Sequence, residues 1–335
     1  MSQSPSSQVS PVSLNDKRLP SAPVQQEQAA SLPEMIFSSV LAVLRGVWKL
    51  ATSNGKVMAG SSIVAFFVLV AIFGPLFIHQ NPLKFTLNLL APPSSAHWLG
   101  TNQGGQDIFV QMVVGTRVSV FWAFLTGFLV LILSVAIGLV SGYMGGIVDD
   151  ILSLLTNVFL VIPGLPLAIV ATQYFSRSEL TIALIVALTN WPWGARVMRA
   201  QTLSMRNREF VTAARAGGER VWRIIFFDIL PNELSLVAAA FITTTIQVML
   251  ALAGLEFLGF GDSLTVSWGT ILNGAFVGDA LLLSAWWWFV PPGLCIALLG
   301  SGLALMNFGI DELADPRLRK EPGMKVSKKR KAVAA

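Results

Sequence analysis

Charge is scarce in this chain: Asp, Glu, Lys and Arg make up 12% of its 335 residues against 54% hydrophobic ones, and the mean hydropathy is +0.67. That balance excludes an ordinary water-soluble globular domain. Cysteine is almost absent. Cys295 stands alone inside an apolar run, so no intrachain disulfide can form, a bridge-stabilised secreted scaffold is excluded, and the residue reads as packing. Histidine occurs only at His79 and His97, with no second His or carboxylate at a metal-ligand spacing. The sequence has no nucleophile elbow, no His-Glu-x-x-His and no Walker A loop; its one comparable glycine cluster, at 100–107, lacks the lysine that would reach a phosphate. Neither catalysis nor ATP binding by this chain alone is expected. An apolar signal-peptide core is also missing from the first residues, which are rich in Ser, Pro and Gln.

What the chain has instead is long apolar runs. Crossing hydrocarbon takes about 20 apolar residues per helix, and six segments qualify, at 57–78, 118–143, 151–174, 180–197, 234–257 and 283–308. The fourth is the weakest, being interrupted by Asn190 and Pro192. The predicted class is an all-α polytopic membrane protein with six transmembrane helices. Lys and Arg resist translocation; with both termini cytoplasmic, 20 of the 23 basic residues fall inside, leaving Lys84, Arg117 and Arg177 outside. The organisation read from this pattern is a disordered cytoplasmic arm at 1–31, an interfacial juxtamembrane helix at 32–56, a first span with its external loop at 57–112, a five-helix core at 113–310 and a basic tail at 311–335. The net charge of +5 lies where topology requires it, and the tail basic cluster Lys328 to Lys331 suits anionic lipid headgroups rather than nucleic acid.

Ionisable residues inside spans are expected to be essentially missing. Asp149 and Asp150 read as amino-terminal caps of the third span, and Glu233 as the opening of the fifth. Helix breakers are present: Pro163 and Pro166 in the third span, Pro192 in the fourth, and Pro291 with Pro292 in the sixth. Each is expected to kink its helix, and the carbonyls so freed must face protein or a watery cavity. Trp286, Trp287 and Trp288 read as an interfacial aromatic anchor. The small residues Gly138, Gly142, Gly145 and Gly146 would let helices approach closely.

The segment at 197–232 stands apart. It carries Arg199, Arg206, Arg208, Arg215, Arg220 and Arg223, and its core at 209–231 reads as two short amphipathic helices hinged at Gly217 and Gly218 and stopped at Pro231. A cytoplasmic helical pair of this kind on a membrane protein gives a partner something to push.

Thr212-Ala213-Ala214 with Gly218, followed by Ile229-Leu230-Pro231, resembles the loop by which the second membrane permease of dipeptide, oligopeptide and nickel ABC importers engages its ATPases. Other motifs agree in order: Gly55 to Gly60, Leu99-Gly100-Thr101 with Asp107, Gly115-Thr116-Arg117-Val118-Ser119, Gly142 to Gly146, Phe257-Leu258-Gly259-Phe260-Gly261, Ser267-Trp268-Gly269 and Asp315-Pro316-Arg317. The chain departs from the pattern at Thr212, where the family has Glu, at Gln106, where it has Arg, and at Glu256, where it has a small polar residue. The resemblance implies a type I importer permease fold in the cell membrane, a homologous permease beside this one, two ATPase subunits that bind ATP and Mg, and an extracytoplasmic binding protein. It implies no cofactor in this chain and peptides as cargo, with nickel chelates or oligosaccharides as alternatives. It assigns ATPase coupling to Glu209, Phe210, Thr212, Ala213, Ala214, Arg215, Gly218, Ile229, Leu230 and Pro231. Three rivals remain. An ion-coupled secondary transporter would place Asp, Glu or His in a span, an intramembrane enzyme would need a nucleophile with its base, and an exporter permease would lack external loops fit for a binding protein.

Overall fold

The computed structural model describes residues 54–175, 177–262 and 264–314. The predicted arm, all but the last residues of the juxtamembrane segment, and the tail from Asp315 on, Arg317 included, lie outside them. The elements are α1 (Gly55–Phe77), α2 (Ile108–Met144), α3 (Gly146–Val161), α4 (Gly164–Thr172), α5 (Glu179–Met205), α6 (Glu209–Ala216), α7 (Val221–Phe260), α8 (Trp268–Val277) and α9 (Trp286–Ala314). Among the described residues no strand forms, only an isolated bridge between Thr101 and Asp107.

By length and apolarity α1, α2, α7 and α9 can each cross a membrane, and α3 with α4 makes a fifth crossing if taken as one broken span. The break bends that pair by 84°. Its cause is local: Pro163 offers no N–H and holds Ile162 extended, at φ −78° and ψ 123°, so α3 stops and α4 restarts from Pro163 as its cap. The remaining predicted span lies in α5, whose 27 residues reach about 40 Å but carry Asn190, Arg196 and Arg199. Pro192 sits inside α5 without ending it. Carbonyls around it are served by side chains: Thr189 Oγ1 donates to the Ile185 carbonyl, Asn190 Nδ2 to that of Val186 and Ser134 Oγ to that of Trp191. Pro291 and Pro292 lie within α9, and Pro75, which the sequence reading passed over, within α1.

The long helix α2 is the central post, packed along α5, α7 and α1. Close approach depends on glycine there: a Cβ at Gly138 would strike Met198 and the Ala195 carbonyl, and one at Gly142 would strike Thr202. One apolar cluster joins α1, α2, α8 and α9 around Trp268 and Leu299; a second joins α2, α5 and α7 around Val186 and Leu255.

Two expectations are corrected. Pro231 does not stop a helix. The helix runs on from Val221 through Pro231 to a kink at Gly259, at φ +88°, because a π turn at Ile224–Ile229 widens the backbone and a 3-10 turn at Leu230–Glu233 takes the proline at its start, where the missing N–H costs nothing. The second short helix of the loop is thus the beginning of the fifth span. Nor do the three tryptophans act together as an interfacial anchor. Only Trp286 is exposed; Trp288 is buried in the first cluster, and Trp287 donates its indole N–H to the Thr101 carbonyl at 3.2 Å, tying α9 to the loop before α2.

Candidate functional site

The loop between α5 and α7 is built from short-range rules. Helix α6 starts after the extended Arg208 with Glu209 in its first turn, where a carboxylate suits the helix dipole, and ends with Arg215 in its last. Gly217 caps it and Gly218 turns left-handed at φ +77°. The Glu219 N–H then reaches the Ala214 carbonyl at 3.2 Å and the Gly218 N–H that of Arg215 at 3.1 Å, the paired closure that a glycine at this position permits. Glu219 pairs with Arg223 at 2.6 Å one turn into α7.

The two faces of α6 have different neighbours. Val211 is fully buried in a cluster with Leu139 and Tyr143 of α2 and Ile224, Ile225 and Ile229 of α7, and Ala214 and Leu230 pack beside it. Arg215 lies over the Tyr143 ring, 5.5 Å from its centre. The opposite face is open: Glu209, Phe210, Thr212 and Ala213 are all exposed, as are Gly218 and Pro231. The ten residues singled out from sequence are therefore divided between a seat inside the protein and a free surface. Val211 and Tyr143, which fix the seat, were not among them. The spacing of Val211, Ala214 and Arg215 on one helical face was the signal that could have found the first; nothing near Tyr143 in sequence points to the second.

Asp149 is not a cap. Its carboxylate takes two hydrogen bonds from Arg199 of α5, at 2.6 and 2.7 Å, and others from Ser141 and Ser153 at 2.5 and 2.9 Å. This fork joins α2, α3 and α5 beside the loop. The spans are also less free of ionisable groups than expected. Glu233 and Glu256, both within α7, are buried, as is Glu179 at the start of α5. Along the chain Glu233 stands out only as a helix start and Glu256 only as a departure from the family pattern; their burial is not written there, because it depends on which helices pack against them.

At the other end of α2, Asp107 accepts the N–H groups of Phe109 and Val110 and pairs with His97 at 2.7 Å. Gln106, standing where the resembled family has Arg, is buried in an amide network with Asn102 and Gln111 and donates to the Leu83 carbonyl. These contacts fold the long segment before α2 onto the bundle.

Residues 134–320 match the family described as binding-protein-dependent transport system inner membrane component. The oligopeptide transport system permease protein OppC of Bacillus subtilis (strain 168) is 33% identical over 80% of this chain and 88% of its own length. The dipeptide transport system permease protein DppC of Alkalihalophilus pseudofirmus is 32% identical over 82% and 90%, and the nickel transport system permease protein NikC of Escherichia coli (strain K12) 29% over 80% and 96%. Among solved structures, a chain of the inward-facing MetNI methionine ABC transporter aligns with a TM-score of 0.50 at 18% identity, covering 63% of this chain and 97% of that one, a likeness of fold.

Proposed function

The chain belongs to the family of binding-protein-dependent transport system inner membrane components, a permease subunit of an ABC importer, and from that premise we propose that it imports peptides by taking mechanical work through α6. Its partners in this reading are a homologous permease that completes the pathway, two ATPase subunits at the arginine-rich end, and an extracytoplasmic binding protein at the other. The arginine-rich end then faces the cytoplasm with both termini, as the distribution of Lys and Arg supports. Peptide cargo is supported by the names of the relatives; nickel chelates are the alternative.

The observation that carries the reading is the division of α6. Phe210, Thr212 and Ala213 offer a small, partly apolar surface to a partner, while Val211 and Ala214 fasten the same helix to α2 and α7. A push on the open face therefore moves the seat, and with it the two long helices, rather than bending a free loop. Thr212 in place of Glu leaves that face without one charge, with Glu209 on the preceding turn.

Cysteines placed singly at Phe210 or Ala213 are expected to crosslink to an ATPase subunit in the assembled transporter, and one at Val211 not. Equal labelling at all three, or none, would overturn the assignment. An ion-coupled reading regains some ground from the buried Glu233 and Glu256. Uptake that survives ATP depletion and is abolished by a protonophore would establish it instead. Competition of labelled oligopeptide uptake by nickel chelates decides between the cargoes.

A further inference from the structure

Glu256 departs from the resembled pattern and has no part in coupling through α6. It lies on the π turn that closes α7 and is 4% exposed; Glu179, the first residue of α5, is 8% exposed and has the Glu256 carboxyl beside it. Glu256 is well supplied with donors. Ser267 Oγ donates to its Oε2 at 2.5 Å and the Gly269 N–H, in the first turn of α8, also serves it. The contact is so close that a Cβ on Gly269 would collide with the carboxyl group. Glu179 is the opposite case. Among the described residues neither of its oxygens meets a donor, and the group within hydrogen-bonding reach is the Glu256 carboxyl. Among the described residues Asp262 also faces Glu179, and it is engaged by Leu264 N–H and Thr265 Oγ1 of its own loop.

Two carboxylates do not lie together in a dry interior unless something positive stands between them. Among the described residues no Lys or Arg is set against this pair, and no group of three His, Cys, Asp or Glu side chains could hold a metal ion. A single proton meets the requirement, since the acid then donates O–H to the carboxylate. We propose that Glu179 and Glu256 are a positioning pair sharing one proton, which clasps the start of α5 to the end of α7 and the first turn of α8, and that the clasp parts when those helix ends separate during transport. The proton belongs to the pair rather than to either residue.

Topology gives the clasp its place in the cycle. Helices α5 and α7 are the two that α6 joins directly. At one end they are connected by the helix proposed to receive the push, and at the far end of both they are held by the carboxyl pair. Movement of α6 thus bears on the clasp through two rods, and the strength of the clasp sets how readily the far ends part. In this respect the proposal rests on coupling through α6.

The test uses the assembled transporter in vesicles. Infrared spectra should show a protonated-carboxyl band that shifts in D₂O and disappears in Glu179→Gln and in Glu256→Gln alike, because an amide N–H replaces the shared proton in either variant. Glu179→Gln should keep near-native ATP-driven uptake, because its amide N–H can donate where the shared proton did. Glu179→Leu, which offers no donor, should lose about tenfold in uptake, as expected for one buried hydrogen bond left unmade. The proposal is overturned if the band survives both Gln substitutions, if the wild-type protein lacks it, or if uptake instead follows added Na⁺, K⁺ or Mg²⁺. The infrared measurement needs no ATP-driven transport, so it decides the clasp even if coupling through α6 fails.

Discussion

Where α5 passes into α6, charged groups are many and paired in reach of water, as in the Asp149–Arg199 fork and the Glu219–Arg223 pair. Where α5 begins, two carboxyl groups lie buried against each other, and among the described residues no cation is set beside them. The first arrangement tolerates repositioning, since water can replace a lost partner at modest cost. The second does not, because among the described residues Glu179 has no hydrogen-bonding group within reach but the Glu256 carboxyl. A helix pair joined by a yielding, solvated end and a dry, all-or-none end is suited to switch between two states rather than to flex continuously.

The strongest challenge to that contrast is at the turn. Gly218→Val places a β-branched residue at φ +77°, a conformation costing about 1–3 kcal/mol, and should lower substrate-driven uptake by about tenfold or more while the complex still assembles. Full uptake in that variant would mean α6 does not need its fixed exit. Asp149→Asn comes next. It removes a partly exposed ion pair and should destabilise the complex by about 1–3 kcal/mol, read as a lower Tm; an unchanged Tm would show that the three helices meet firmly without the fork. Val211→Ala empties part of the α6 seat and should cost about 1 kcal/mol, with coupling weakened more than assembly when uptake per ATP hydrolysed is compared with complex yield. The smallest effect is expected from Thr212→Glu on the open face, where uptake should stay within about twofold; an assembled but inactive transporter would show that this face is more enclosed in the complex than α6 alone suggests.

Much of this was legible along the chain. Apolar runs located the spans, the Ala and Gly pattern at Ala213, Ala214 and Gly218 located the loop, and Pro163 marked a real break. Pro231 misled because a proline ends a helix only if the backbone around it cannot adjust, and a π turn followed by a 3-10 turn is such an adjustment. The tryptophan run misled for a related reason. Three adjacent helical residues point in different directions, so one faces out while its neighbours pack inward.

By itself the sequence determined the membrane class, the distribution of basic residues and the amphipathic loop, because hydropathy, charge and helical period are properties of neighbouring residues. Only the tertiary structure decided that Val211 seats against Tyr143, that Asp149 binds Arg199 and that Glu179 meets Glu256. Those contacts join residues far apart in the chain, and their energies depend on burial and on which donors stand nearby, which no local pattern records.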